Sequence, residues 1–591
     1  MSRFSKLSEK LAGLTAAVTR YPAATAFLLL ATGLNTYALI TDHTYGKAWR
    51  ACVVGAAAAA VAQAVYERFF QKSSVRAALA ALGAALAGLF YLLIRAESAY
   101  STQNDLRTGA ILFALMFAFI LVPAVKSRVS FNESFMAAFK ALFQSLLYAA
   151  VFFLGCSLII AAFDALIAPI PSESYLHVAN VVFVLLAPVF YLSLIPVYPG
   201  RLFPDGPADG PETEKLGRAT HCPKFLEVLI AYIIIPLAEI FTVILVLYIV
   251  LNIGGDFWRN NLLEPLLISY AITVILILFL SARLLNRMAV WFCRIFPKVL
   301  VPIVLFQLVA STLILRDTGV THSRYFVILF GIFAICAGVL LGIAPMRKSG
   351  IAAALLVVFS LVSITPPVDA FTVSRASQRQ RLEAVLSKND MLQNDRLIPA
   401  ADLPLADREA IVSSLDYLHW MDGLDRLAWL PPEFDYYADF ESAFGFARYG
   451  GIPDKEDRYI NVFIAPDAPI NVDGYAVLAR ASVNLGRTGS ETICTMEQGG
   501  RRYTLTKADG DRFAVLALTD SDNNELIRFD TGEIFSRYSD YGSERAQLTA
   551  GQATFSAEND RARLAVTVQN ASFNRSSEYY YADFYVLLNI K

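Results

Sequence analysis

The stretch Gly350–Leu382, GIAAALLVVFSLVSITPPVDAFTVSRASQRQRL, divides the chain in two. Before Pro366-Pro367, long apolar runs alternate with short basic loops, and after it no run is long enough to cross a bilayer. A hydrocarbon core of about 30 Å takes about 20 apolar residues in a helix. That rule places spans near 22–40, 50–67, 75–94, 108–125, 141–163, 176–198, 226–251, 265–282, 299–315, 325–344 and 350–366. The expected fold is therefore an α-helical multipass membrane bundle of about eleven spans, followed by a soluble α+β domain with a mainly antiparallel sheet.

Composition agrees with this division. Of 591 residues, 56% are hydrophobic and 17% charged, against about a quarter charged in a soluble globular chain. The net charge of -1 conceals an asymmetry. Residues 1–366 hold 27 Lys and Arg against 17 Asp and Glu, while residues 367–591 hold 23 against 34. An acidic tail of 225 residues argues against nucleic acid as a partner. Five of the six cysteines (Cys52, Cys156, Cys222, Cys293, Cys336) precede the border, and Cys494 is alone in the tail. No CxxC spacing suggests a metal or redox site.

The basic residues alternate by loop. One set of segments holds 20: Arg3, Lys6, Lys10 and Arg20, then Arg68, Lys72 and Arg76, and so on to Arg347 and Lys348. The alternate loops hold 7, namely Lys47, Arg50, Arg95, Arg107, Arg259, Arg316 and Arg324. Basic loops stay on the cytoplasmic side, so the N-terminus is expected inside and, after eleven spans, the tail outside. The domains follow as 1–21, a cytoplasmic amphipathic lead-in; 22–366, a transmembrane helical domain; 367–450, the helical start of the soluble domain; and 451–591, its β-rich part. Spans two and three are rich in alanine, the composition that lets helix backbones approach closely in lipid. Pro188, Pro196, Pro236 and Pro302 interrupt later spans and can kink them or free carbonyls.

In the tail, SRASQRQRLEAVLSKN (374–389) and ADREAIVSSLDYLHWM (406–421) carry apolar residues at helical spacing. A third helix, DYYADFESAFGFARYG, is expected to stop at Gly450-Gly451. Beyond it, segments such as RYINVFIA, RRYTLTKA and ARLAVTVQN alternate with period two and read as strands.

The segment FTVSRASQRQRLEAVL (371–386), with HSRYFVILFGIF (322–333) and SSLDYL (413–418), resembles an uncharacterised bacterial membrane family, domain of unknown function 4153. The resemblance covers most of the membrane half and the start of the tail. It implies a multipass protein of the bacterial inner membrane with a soluble C-terminal region, and it brings no catalytic residue, cofactor or substrate.

Glu239, three residues after Pro236 near the middle of the seventh span, is the candidate intramembrane polar site, with Gln307 and Gln144 as possible partners. An ionisable group at that depth is costly and faces the protein interior or water; it serves a proton- or cation-responsive site or a hydrogen-bonded packing contact. Asn180 suits interhelical hydrogen bonding. In the tail, DSDNNE (520–525) has the alternating order of a calcium loop, but Glu525 stands where that loop needs Gly, so a β-turn is the simpler reading. The acidic cluster Glu433, Asp435, Asp439 and Glu441 reads as a solvated face, and His419 is the single histidine of the tail. No GxSxG, HExxH or P-loop pattern occurs, so no catalytic residue, cofactor or metal is assigned. The expected partners are the lipid bilayer and either envelope proteins or a small ligand. The first functional expectation is a membrane anchor for an extracytoplasmic α+β domain engaged in sensing or envelope interaction. The second is a transporter or channel-like protein using Glu239. A third, an enzyme on lipid-linked substrates, would draw on Glu97, Asp105, Asp256 and Glu264, which are scattered over the outer loops.

Overall fold

The structure, a computed structural model, describes residues 13–41, 45–95, 102–201, 211–252, 264–431, 434–437, 439–446, 448, 459–465, 468–484, 491–510, 512–539, 545–574 and 579–591. Glu97, Asp256, Glu433 and Gly450-Gly451 lie outside the described residues. The chain forms two compact units, Met1–Ile398 with Glu409–Tyr436, and Pro399–Arg408 with Tyr437–Lys591.

Among the described residues, the first unit carries ten helices long and apolar enough to cross a membrane. They are α1 (Pro22–Thr41), α2 (Gly46–Phe69), α3 (Ser73–Ile94), α4 (Thr102–Leu121), α5 (Phe131–Leu166), α6 (Glu173–Leu194), α7 (Glu214–Leu251), α8 (Glu264–Ser281), α9 (Arg287–Thr318) and α10 (His322–Ile343). A shorter apolar helix, α11 (Pro345–Val362), follows in the place of the eleventh expected span. Its 18 residues extend about 27 Å. At one end a Cβ on Gly350 would lie 3.7 Å from Leu121 and Phe131. At the other, Ser363 O accepts from Ala370 N at 3.0 Å. Helices α12 (Ala370–Lys388) and, from Glu409 on, α13 (Leu405–Trp420) complete this unit, with a hairpin of two-residue strands, β1 (Leu392–Gln393) and β2 (Arg396–Leu397).

Local sequence explains the boundaries. Ser130 closes a capping box with Glu133 at the start of α5, and Asn286 and Thr321 cap α9 and α10, satisfying backbone N–H groups that a helix start leaves open. Helix α5 begins ten residues before its expected span, because the helix continues beyond the apolar stretch. Pro188 and Pro236 do not break their helices. Each follows a π-helical turn, Asn180–Leu186 and Ile230–Ile234, in which the ladder widens where proline supplies no N–H. Asn180, in the first of these turns, donates to Thr32 O at 2.9 Å and Thr36 Oγ1 at 3.0 Å and accepts from Asn35.

The loops gather at two ends as the alternation of basic residues requires. At the basic end Arg20 pairs with Glu67 at 2.7 Å and donates to Ile195 O. There too Arg68 donates to Val125 O and Pro199 O, Lys140 to Arg218 O and His221 O, and Arg283 pairs with Glu133. At the opposite end Lys47 donates to Arg95 O, Arg50 pairs with Asp105 at 2.6 Å, and Ser311 donates to Glu264 at 3.1 Å. Between the ends, small residues bring α2 and α3 together. A Cβ on Gly83 would stand 3.3 Å from Ala59 N, and one on Gly55 would lie 3.0 Å from Ala87 Cβ.

The second unit is α+β, with two sheets around one core. The first sheet runs β4 (Val477–Asn484), β12 (Tyr579–Ile590), β11 (Ala562–Asn574), β3 (Tyr459–Ile464) and β9 (Arg545–Leu548), and β10 (Thr554–Glu558) pairs with the start of β11. All pairings are antiparallel except β3 with β9. The second sheet is a meander of β5 (Glu491–Gln498), β6 (Arg501–Ala508), β7 (Val515–Thr519) and β8 (Glu525–Asp530). Leu505, Leu518 and Phe529 from the meander share a core with Val462, Val566 and Phe584. Central strand β11 is buried at nearly every position rather than alternately, because its two faces are both covered. The third expected tail helix is a correction. Among the described residues of that segment only α14 (Phe440–Phe444) is helical, and it stops at Gly445, which takes the left-handed conformation that a C-terminal glycine permits (φ 81).

The close contact of α2 and α3 is testable. Gly83→Leu is expected to destabilise the detergent-solubilised protein by about 1–3 kcal/mol through overpacking. Gly88→Leu, on the same helix where a Cβ meets nothing within 4 Å, is expected to leave the thermal midpoint close to that of the parent.

Candidate functional site

The three polar residues singled out within the spans are not joined. Glu239, on α7, is half-buried, and its Oε1 is shielded without a hydrogen-bond partner. Gln307, on α9, is buried with Nε2 likewise unpartnered, while Gln144 is exposed on α5. No hydrogen bond among the described residues links them. Asp520 holds a turn: Oδ1 accepts from Asp522 N and Asn524 N, both at 2.9 Å, and Oδ2 from Asn524 Nδ2. Those bonds occupy the oxygens a cation would need. His419 stacks on Tyr436 with ring centroids 4.5 Å apart. Asp439 occupies the N-cap position of α14.

A denser polar arrangement lies at the end opposite the basic one, where α12 begins. Asp369 has no exposed surface. Its Oδ1 accepts from Phe371 N at 3.0 Å and Thr372 N at 3.1 Å, and its Oδ2 from Thr372 Oγ1 at 2.6 Å. These bonds cap the helix. The buried Arg107 of α4 stands 3.5 Å from the same carboxylate and lies over the Phe371 ring, 5.1 Å from its centroid. One turn on, Arg375 donates to buried Gln103 Oε1 at 2.6 Å. Gln378, a turn further, donates to Thr318 O and Val320 O at the end of α9, and Ser377 accepts from Val320 N. From the other side, Tyr417 of α13 donates to Ser374 at 2.8 Å and accepts from His322 N at the start of α10. Burial pushes the Tyr417 phenol above its ordinary range, which keeps the hydroxyl proton available for Ser374.

Helix α12 is thus fixed turn by turn to the ends of α4, α9 and α10. The apolar face read from sequence is real, with Leu382 and Leu386 fully buried. What periodicity overlooked is the buried polar row Ser374, Arg375 and Gln378. Beside it lies a polar cavity of about 280 Å³ whose walls include Glu264, Ser323, Arg324, Gln378, Arg381 and Tyr417. Within the spans an apolar cleft of about 870 Å³ runs between α4, α5, α6, α8, α10 and α11, lined chiefly by apolar side chains with Asp105, Tyr191, Ser360 and Ser363 as the polar residues of its lining.

The family model described as Domain of unknown function (DUF4153) matches residues 23–406. The chain belongs to that family. The DUF4153 match reaches into α13 and so takes in the whole of α12 together with the helix ends that hold it; the sheets of the second unit lie beyond it. No curated protein and no solved structure matches the chain.

Removing the Asp369 carboxylate takes a counter-charge from the buried Arg107 guanidinium and uncaps α12 together. Asp369→Ala is expected to cost about 3–5 kcal/mol, the range for breaking a buried pair. Asp369→Asn keeps a capping oxygen and is expected to cost less. Thermal unfolding of the purified protein measures both, and equal losses in the two variants would show that the charge, not the cap, carries the effect.

Proposed function

We propose that this DUF4153 protein is an integral protein of the bacterial inner membrane that anchors an α+β domain on the extracytoplasmic side, for sensing or envelope interaction. The observation that carries this reading is the mounting of α12. The chain leaves the apolar helices at the end with few basic residues, and there it is fixed by the buried Arg107–Asp369 and Arg375–Gln103 contacts. Basic residues favour the cytoplasmic side, so the basic end faces inward, the N-terminus is cytoplasmic and the tail is outside.

Cys494 reports the side. In a Cys222→Ser background, a membrane-impermeant maleimide added to cells with a permeabilised outer envelope is expected to label it, with a denatured sample as the control for access. Protection there, followed by labelling once the inner membrane is opened, would place the tail inside and end the envelope reading. Burial pushes the Cys494 thiol above its ordinary range. Because the thiolate is the reacting form, its labelling rate is expected to rise with pH and to level off at a higher pH than that of an exposed thiol in the denatured sample.

A second reading, a transporter or channel-like protein, draws on one observation, the shielded and unpartnered Oε1 of Glu239. Under the anchor reading, Glu239→Gln fully complements a deletion strain at normal protein level. Failed complementation at normal protein level would favour transport.

A further inference from the structure

The polar cavity beside α12 combines features of an anion site. Two guanidinium groups and one carboxylate line it, from Arg324, Arg381 and Glu264, leaving one positive charge in excess. Glu264 is engaged with Ser311, from which Oε1 accepts at 3.1 Å. Arg381 is oriented by Ser413 Oγ and Ser414 Oγ at 3.0 and 3.2 Å. Arg324 differs, because its Nη1 is shielded from solvent and has no hydrogen-bond partner. A guanidinium stays protonated in proteins and presents a planar fork of donors matched to phosphate or carboxylate. Arg324 is partly buried, and shielding one of its donors from water without a partner is costly, a cost that a ligand in this cavity would relieve. Its volume of about 280 Å³ equals about nine water molecules. The Tyr417 and Ser323 hydroxyls and the Gln378 amide border the same space.

We propose that this cavity binds a phosphate-bearing anion, held between Arg324 and Arg381. Its place, where α8 and α10 begin and α9 ends, is the rim of the apolar belt, within reach of both lipid headgroups and free anions. A phosphodiester headgroup and a free phosphate offer the same chemistry, so the source is left to the measurement. An anion gripped by both arginines would tie α10 to α12, adding a ligand-dependent brace between the two helices. The inference does not depend on which side of the membrane this end faces.

The test uses the full chain in dodecyl maltoside micelles, which carry no phosphate, reading the thermal midpoint. One arm titrates inorganic phosphate against sodium chloride of equal ionic strength. The other adds phosphatidylglycerol to the micelles. The midpoint is expected to rise in one arm, with phosphate alone indicating a free anion and phosphatidylglycerol alone a lipid headgroup. Arg324→Gln is expected to abolish the rise or to raise the half-effect concentration at least about tenfold, and Arg324→Lys to retain part of it. Arg381→Gln, altered at the opposite wall, serves if Arg324→Gln does not fold. The proposal is overturned if neither probe raises the midpoint of the parent, or if the rise is unchanged in the arginine variants.

Discussion

Asp369 is a carboxylate without solvent, and the placement of α12 against the apolar helices depends on how its charge is met. Three hydrogen bonds from the first turn of α12 and the Arg107 guanidinium meet it. A buried pair of this kind adds little net stability over an apolar contact, but leaving either member alone is expensive. Its value here is geometric. Because Asp369 is both the N-cap of α12 and the partner of α4, the start of the one helix is fixed at the end of the other. Apolar packing alone, which is non-directional, would leave α12 free to rotate about the chain at Pro366-Pro367.

The spanning region obeys a different rule. Apolar side chains gain little from leaving lipid, so helices associate through close packing and interhelical hydrogen bonds. Gly83 against the Ala59 backbone and Asn180 against Thr32 and Thr36 are the two forms of that association. At the basic end, Arg20 and Arg68 are spent on loop carbonyls and on Glu67, so the chain itself consumes the charge there.

Much of this was legible in sequence, since the signals were long or periodic. Apolar runs near 20 residues located the spans, and the alternation of Lys and Arg foretold which loops meet. Strands β6, β11 and β12 declared themselves by composition. Strand β5 did not, because ETICTMEQ lacks clear alternation; its marker is Gly499-Gly500, both at positive φ, a pair suited to a two-residue hairpin turn. The polar mount was hidden for another reason. Gln103, Arg107, Arg375 and Tyr417 are hundreds of residues apart in places, and nothing in a single sequence tells a buried arginine from an exposed one. The segment 371–386 that carries the family resemblance does contain Ser374, Arg375 and Gln378, so its residues had a structural meaning that periodicity alone did not give.

The unpartnered polar groups are not equivalent. Gln307 is neutral, and a carboxyl such as that of Glu239 can shed its charge by taking a proton, so either can wait unpaired at modest cost. A guanidinium has no such recourse. An arginine with a shielded, idle Nη1 therefore implies a counter-charge more strongly than a glutamate at similar burial does. The sequence favoured Glu239 because it interrupts an apolar run, whereas Arg324 sits inconspicuously at a helix start among short-loop residues. Conspicuousness in sequence follows local contrast; the need for a ligand follows the balance of charge and donors in space, and beside α12 that balance leaves a donor of Arg324 unmet.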